Sequence, residues 1–366
     1  MKKTAKAAVF VGVNQPFELR EYPLTTPEKG IAKLELIASG ICGTDLHIHA
    51  GKIPLAPPKI IGHEFIGRVA ELAEEDRSES GIQIGDAVIV DIACPCGECP
   101  LCKDGEDANC INMQVTNGEN PEIPPHFYGG YAEYNYSPVA NLIKIPPELD
   151  PLTACVFPCA GPTAIHAFGL AEKAGVAAAN IHTAVVQGLG PVGMFATIYL
   201  ASLGIPNIIV ITSREIEKRK LLALKLGATE VLSLDKISGS DIAAHIKKLS
   251  QGIGADLVFE ASGNPLAVPQ GMNLLRNRGI YLIPGQYSNG GGIEIQPQLI
   301  TFNALHIIGS SQYSIRDVKA YIDFMIRNPG LHECTRQLAA FYTIDQINQA
   351  FADAKSGKNI KTVLVK

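Results

Sequence analysis

The chain has 366 residues, of which 46% are hydrophobic and 18% charged, with 35 glycines and 24 prolines. That balance excludes a disordered or fibrous protein and suits a globular α/β chain long enough for two domains, each with its own core. A net charge of −5, with no basic run carrying interleaved aromatics, excludes nucleic acid as an expected partner.

The N-terminal stretch "MKKTAKAAVFVGVNQPFEL" carries lysines but no apolar run of signal-peptide length. No segment reaches the about 18 unbroken apolar residues that cross a membrane. A cytoplasmic protein without membrane contact is the expectation. Residues 1 to about 155 read as short strands broken by Gly and Pro: "KAAVF", "IAKLELIASG", "FIGRVAEL", "DAVIVD", "YAEYNYS" and "LIKIP". Such spacing predicts an antiparallel barrel or sandwich. From about 163 the pattern changes to strands alternating with helices. The strands are "HTAVVQG", "NIIVITS", "EVLSL", "ADLVFEASG" and "GIYLIPG", and the helices "PVGMFATIYLASLG", "EIEKRKLLALKLG", "SDIAAHIKKLS" and "PLAVPQGMNLLRN". That alternation predicts a parallel sheet covered on both faces. A tail after about 307 offers one more helix, "SIRDVKAYIDFMIRNP", and a last strand, "KTVLVK".

The stretch "CPCGECPLCKDGEDANC", residues 94 to 110, holds five of the nine cysteines. A reducing compartment and an odd count disfavour disulfides, and a thioredoxin-like pair needs only one C-x-x-C. Cys96, Cys99, Cys102 and Cys110 stand as C-x2-C-x2-C-x7-C, a spacing that can close a tetrahedral thiolate shell around Zn²⁺. Iron–sulfur ligation uses similar runs and stays open on spacing alone. Gly97 and Gly105 would let the backbone turn around the ion, and Cys94 falls outside the pattern. A closed site of this kind is architectural.

Gly188, Gly190 and Gly193 form G-x-G-x-x-G directly after an apolar strand and at the start of a helix, the context a dinucleotide fingerprint requires. The first glycine permits the turn, the second a close approach of pyrophosphate, and the third helix–strand packing. At the end of the second strand, where NAD enzymes place a carboxylate for the ribose 2′-hydroxyl, this chain has Ser213 and Arg214, with Lys218 and Arg219 beyond. Those groups suit a 2′-phosphate and predict NADP(H) over NAD(H). Glu215 stands close by and argues the other way. Ser213 is also a candidate helix cap, which is compatible with binding phosphate.

Three further pieces carry chemistry: "GICGTDLHIHAG" with Cys42, Thr44, Asp45 and His47, "IIGHEFIGRV" with His63 and Glu64, and "VFPCAGPTAIHAFG" with Cys159. Cys42, His63 and Cys159 would make an S₂N zinc site with its fourth position open, although each alone is more often a packing residue.

The combination C-G-T-D, G-H-E, C-x2-C-x2-C-x7-C, G-G-Y-A-E (Gly129 to Glu133) and G-L-G-P-V-G, in this order, resembles the zinc-dependent medium-chain alcohol dehydrogenases. The resemblance runs over nearly the whole chain. It implies a GroES-like β-barrel catalytic domain from residues 1–160 and 308–366, with a structural zinc lobe at about 94–112, and a Rossmann domain of doubly wound parallel sheet over 161–307. The active site would lie in the cleft between them.

The resemblance further implies two zinc ions per chain. Cys42, His63 and Cys159 would hold the catalytic one, and Cys96, Cys99, Cys102 and Cys110 the structural one. Glu64 matches a carboxylate beside the metal, Asp45 the acid that orients the ligand histidine, Thr44 the hydroxyl that takes the alcohol proton, and His47 the histidine that passes it on. Gly188, Gly190, Pro191, Val192 and Gly193 would cradle the cofactor, and Lys361 matches a basic residue at its pyrophosphate. His49, His126 and His166 match no motif position. Gly43 departs from family members that carry an arginine there. Cys159 departs from the polyol branch, which often has glutamate as the second sulfur's replacement. The insertion 114–130 reads as a polar, Pro-rich loop.

The expected activity is therefore interconversion of an alcohol (primary, secondary or polyol) and its carbonyl with NADP(H), in a homodimer or homotetramer joined through the Rossmann sheets. The alternatives are a non-catalytic nucleotide-sensing relative and an NAD-preferring polyol or sugar dehydrogenase. A non-catalytic relative would be expected to lose Cys42, Thr44, His63 or Cys159, and all four are present.

Overall fold

The computed structural model describes residues 3–366. The chain divides into two compact units, Met1–Cys159 with Tyr313–Lys366, and Ala160–Gln312. The return to the first unit falls at Tyr313 rather than at the expected 308, because the strand His306–Gly309 is the sixth strand of the second unit's sheet.

In the first unit a seven-stranded sheet is organised around Ile31–Ile41, which pairs antiparallel with Lys361–Val365, Glu64–Glu71 and Tyr134–Pro138. Its alternating burial places Ala32, Leu34 and Leu36 against Phe65, Val69, Val88 and Leu142 in one core, the period-2 pattern of a strand with one packed face. A second core gathers Phe10, Phe17, Tyr131 and Phe351. Both ends of the chain thus share this unit. The antiparallel register sets Gly40 opposite Glu64 on one neighbouring strand and Val363 on the other.

The insertion 114–130 is less loop-like than expected. Gln114–Val115 pairs with Ala93–Cys94. At its far end Phe127 is buried against Tyr136, and His126 stacks on Tyr22 with 5.1 Å between ring centroids. Aromatic burial fixes a segment whose polar and proline content suggested freedom.

The second unit has six parallel strands in the order Glu230–Ser233, Asn207–Thr212, Thr183–Gln187, Ala255–Glu260, Leu275–Ile283, His306–Gly309. The central strands Thr183–Gln187 and Ala255–Glu260 are buried at every position, as a sheet covered on both faces demands. The helix predicted over "PLAVPQGMNLLRN" stops at Leu274, and the strand begins at Leu275. Leu274 and Leu275 are both buried, so packing against the sheet overrides the helical period there.

Candidate active site, structural metal lobe and nucleotide turn

Cys42 follows the central strand and occupies the N-cap of the helix Gly43–His49. Asp45 Oδ2 accepts the Cys42 backbone N–H at 2.9 Å, while its Oδ1 lies 3.3 Å from His63 Nδ1. One fully buried carboxylate therefore ties the first cysteine to the histidine. The ligand atoms of Cys42, His63, Glu64 and Cys159 all lie within 4.8 Å of one another, and Cys159 is the last residue of the first unit's opening segment. A hydrogen bond from Cys159 holds the Cys42 thiol well below its ordinary range against the opposing effect of burial, and the same bond pushes Cys159 up. At His63 burial opposes the charged ring, but Asp45 and Cys42 outweigh it and hold its pKa well above the usual value. Two sulfurs, one imidazole and one carboxylate in so small a half-buried space match the donor set of a zinc site with room for a further ligand.

Thr44 Oγ1 lies 3.8 Å from Cys42 Sγ. His47, three residues on, shares its side of the short helix. Burial lowers the pKa of His47, Lys52 lowers it further, and Cys42 opposes both. The ring is thus neutral at physiological pH and able to accept a proton.

Lys361, matched by the resemblance to a residue at the cofactor pyrophosphate, is engaged by a carboxylate of its own unit. Its side chain is buried and its Nζ pairs with Glu64 Oε2. Gly40 between their strands makes this possible, since a Cβ there would collide with Glu64 Oε2 and approach Lys361 Nζ to 2.9 Å. Burial pushes Glu64 up to about 7, against the pull of Lys361. On Lys361 burial works the other way, yet Glu64 and the thiols hold the ammonium charged. Sequence spacing carries no sign of this pair, because its partners are 297 positions apart.

Cys96, Cys99, Cys102 and Cys110 form a second cluster. Cys96 and Cys110 sulfurs are 3.5 Å apart, and Cys99 and Cys110 sulfurs 3.9 Å. A ZnS₄ tetrahedron with bonds of about 2.3 Å has edges of about 3.8 Å, whereas a disulfide needs about 2.05 Å. Backbone N–H groups of Cys96, Cys99 and Asn112 point at these sulfurs. Main-chain donors at Glu98 and Cys99 hold Cys96 down at about 6. The geometry fits a metal. Cys94 stays outside the cluster, its thiol directed at Asn141 Oδ1.

In the second unit the three fingerprint glycines behave differently from one another. Gly188 has φ +105°, and a Cβ on it would strike the backbone of Ala261 and Ser262 at 2.8 Å. Gly193 packs its helix on Gly188, where a Cβ would meet the carbonyl oxygen. Gly190 faces open space and caps the helix Pro191–Ser202 with no acidic residue in its first turn. A helix N-terminus with that opening is an anion cradle.

Beyond the second strand, Ser213 and Arg214 are exposed. Ser213 does not cap the next helix, which starts later, at Glu217 with Ile216 as N-cap. Arg219 Nη1 donates to the Leu189 carbonyl at 3.3 Å. Glu215 is engaged by Lys220 Nζ at 3.1 Å and Lys236 Nζ at 2.5 Å. Gln187, Ile211, Leu234 and Ile242 help line a cavity of about 300 Å³ at the strand ends.

Residues 28–147 match the alcohol dehydrogenase GroES-like domain, and residues 191–327 match the zinc-binding dehydrogenase domain. A 5-exo-hydroxycamphor dehydrogenase of Pseudomonas putida is 30% identical over 365 residues, covering 98% of each chain. The chain belongs to the zinc-dependent medium-chain alcohol dehydrogenases. An L-threonine 3-dehydrogenase of Bacillus subtilis is 27% identical, covering 95% of this dehydrogenase and 94% of that enzyme. Among solved structures, an alcohol dehydrogenase of Thermotoga maritima superposes with a TM-score of 0.88 at 26% identity, covering 99% of both chains. The dehydrogenase is accordingly an oxidoreductase acting on alcohols, with a GroES-like and a Rossmann domain. No helix among the described residues is long and apolar enough to cross a membrane.

Sequence reasoning passed over several polar groups at strand ends of the Rossmann unit. Glu260 Oε2, Gln286 Nε2 and Ser310 Oγ are buried with no hydrogen-bond partner among the described residues. They stand at or just past the carboxyl ends of three adjacent strands, where ligands bind in open α/β sheets. Only the strand order brings them side by side.

Proposed function

We propose that this dehydrogenase interconverts a secondary alcohol and its ketone by hydride transfer to and from NADP(H). The observation that carries the reaction is the half-buried cluster of Cys42, His63 and Cys159, with Asp45 accepting the Cys42 N–H and lying 3.3 Å from His63 Nδ1. In this reading those three side chains hold the catalytic zinc, and the four cysteines of the lobe hold a structural one. Zinc, when bound, supplies a Lewis acid that polarises the substrate oxygen. Asp45 fixes the His63 ring through Nδ1 and leaves Nε2 for the metal. Thr44 takes the alcohol proton and His47, neutral at working pH, passes it towards solvent. Lys361 keeps the Glu64 carboxylate in place beside the metal.

The secondary alcohol is supported by two relatives named for such substrates, hydroxycamphor and threonine oxidised at C3. NADP(H) is supported by the guanidiniums of Arg214 and Arg219 around the nucleotide turn and by the engagement of Glu215 with two lysines. Gly188, Gly190, Pro191, Val192 and Gly193 cradle the pyrophosphate, and Ser213 joins Arg214 at the 2′-phosphate. A second copy of the chain is the partner this reading supplies: among the described residues the edge strand His306–Gly309 is unpaired on one side, and Phe302 beside it is 79% exposed. The cytoplasm, where thiol ligands stay reduced, is its compartment.

The test is a panel of primary, secondary, polyol and sugar substrates assayed with both cofactors on zinc-loaded protein. Highest kcat/KM on a secondary alcohol with NADP is expected. Exclusive turnover of primary alcohols, or of any substrate with NAD alone, contradicts the proposal.

A further inference from the structure

Glu215 is the only carboxylate in the turn 213–216, which joins the strand Asn207–Thr212 to the helix Glu217–Lys225. A carboxylate at the end of this strand accepts the ribose 2′-hydroxyl of NAD and opposes the 2′-phosphate of NADP. Here both of its oxygens are taken. Lys236 Nζ donates to Oε1 at 2.5 Å and Lys220 Nζ to Oε2 at 3.1 Å, on a side chain only 17% exposed. The two lysines come from different elements. Lys220 lies in the first turn of the helix Glu217–Lys225, whereas Lys236 follows the neighbouring strand Glu230–Ser233.

The backbone of the turn is held from that neighbouring strand as well. The Glu215 N–H is shared between both oxygens of Asp235, 3.3 Å from each. Asp235 also accepts the Ser233 hydroxyl, and the Leu234 N–H donates to the Thr212 carbonyl at 2.9 Å. Residues 233–236 at the end of one strand therefore fasten the turn at the end of its parallel neighbour. Arg214, one position before Glu215, has no carboxylate partner among the described residues. The acid is neutralised while the adjacent base stays available to a phosphate.

We infer that Lys220 and Lys236 are specificity-determining residues of the dehydrogenase: they bind both oxygens of Glu215 and so withhold from the ribose the carboxylate that would favour NAD. The two lysines act through Glu215 and need no contact with the cofactor themselves. Without them the carboxylate is free to turn towards the 2′ position, where it accepts a hydroxyl and repels a phosphate. The inference rests on the reading that NADP(H) places its 2′-phosphate at Arg214. It explains how the chain keeps an acid in this turn and still takes the phosphorylated cofactor.

The test measures kcat/KM for NADP and for NAD in four zinc-loaded proteins: wild type, Glu215→Gln, Lys220→Met with Lys236→Met, and all three changes together. The quantity read is the ratio of the two values. Losing both lysines should lower the NADP-to-NAD ratio by about tenfold. Glu215→Gln alone should shift it by less than about twofold, yet added to the lysine pair it should return the ratio close to wild type. A plain loss of positive charge behaves differently, because Glu215→Gln then raises the ratio equally with and without the lysines. That additive result, or a wild-type ratio in the lysine variant, overturns the inference. The wild-type ratio by itself tests the underlying reading: a protein that favours NAD contradicts it, whereas the coupling between Glu215 and the lysines decides the inference whichever cofactor is favoured.

Discussion

Arg219 Nη1 donates to the carbonyl of Leu189 across 3.3 Å, laying a half-buried guanidinium on the glycine-rich turn. Burial and then the neighbouring Arg214 disfavour its charge. A phosphate set between the two arginines would relieve that repulsion. One charge-assisted hydrogen bond contributes about 1.5–3 kcal/mol, or roughly ten- to hundredfold in affinity. Arg219→Ala should lower kcat/KM for NADP by about that factor and leave the value for NAD nearly unchanged. Arg214→Asp should reverse the preference. Equal losses with both cofactors would mean that these arginines serve only the turn.

Lys361 and Glu64 form a buried ion pair made possible by Gly40. Replacing Lys361 by Met leaves the carboxylate buried and uncompensated, at a cost of about 3–5 kcal/mol. Thermal unfolding of Lys361→Met should show a clearly lower Tm, and adding Glu64→Gln should recover much of the loss. If the second change deepens the loss, the pair is not the reason for it.

In the proposed relay, oxidation requires neutral His47. Burial, and then Lys52, hold its pKa below the usual 6.5, so the rate should rise with pH through a point in that lower range and be flat at neutrality. His47→Gln should remove this limb and depress the rate more at neutral than at high pH, where hydroxide takes the proton. Lys52→Gln should move the limb to higher pH, since it removes a positive neighbour. A profile that stays put in both variants would place the relay elsewhere.

The sulfur distances in the lobe predict a second, tightly held zinc with no catalytic part. Cys99→Ser should lower stability or solubility, because the lobe has little core of its own. A visible chromophore typical of iron–sulfur clusters would contradict this.

The motifs made much of this site legible, because metal and phosphate binding impose local spacing. Cys96 to Cys110 lie within one loop, and Gly188 to Gly193 span one strand–helix junction. The Lys361–Glu64 pair was not legible, since it depends on antiparallel register around Gly40. Glu215 was ambiguous in sequence because Lys236 reaches it only across the next strand. The domain boundary moved from 308 to Tyr313 for a similar reason: "HIIG" is short enough to read as tail until it pairs with Leu275–Ile283. Local chemistry can be read along the chain, whereas contacts between distant strands cannot.

The proposed hydride transfer at the Cys42, His63 and Cys159 site is open to a direct isotopic measurement. A secondary alcohol deuterated at the carbinol carbon is supplied, with NADP, to zinc-loaded protein, chelator-treated protein and Cys42→Ala. Deuterium should appear on the nicotinamide ring only with the zinc-loaded wild type, while Cys42→Ala remains folded. Equal label transfer by Cys42→Ala, or no reduced nicotinamide from any alcohol with either cofactor, would contradict the assignment of this site.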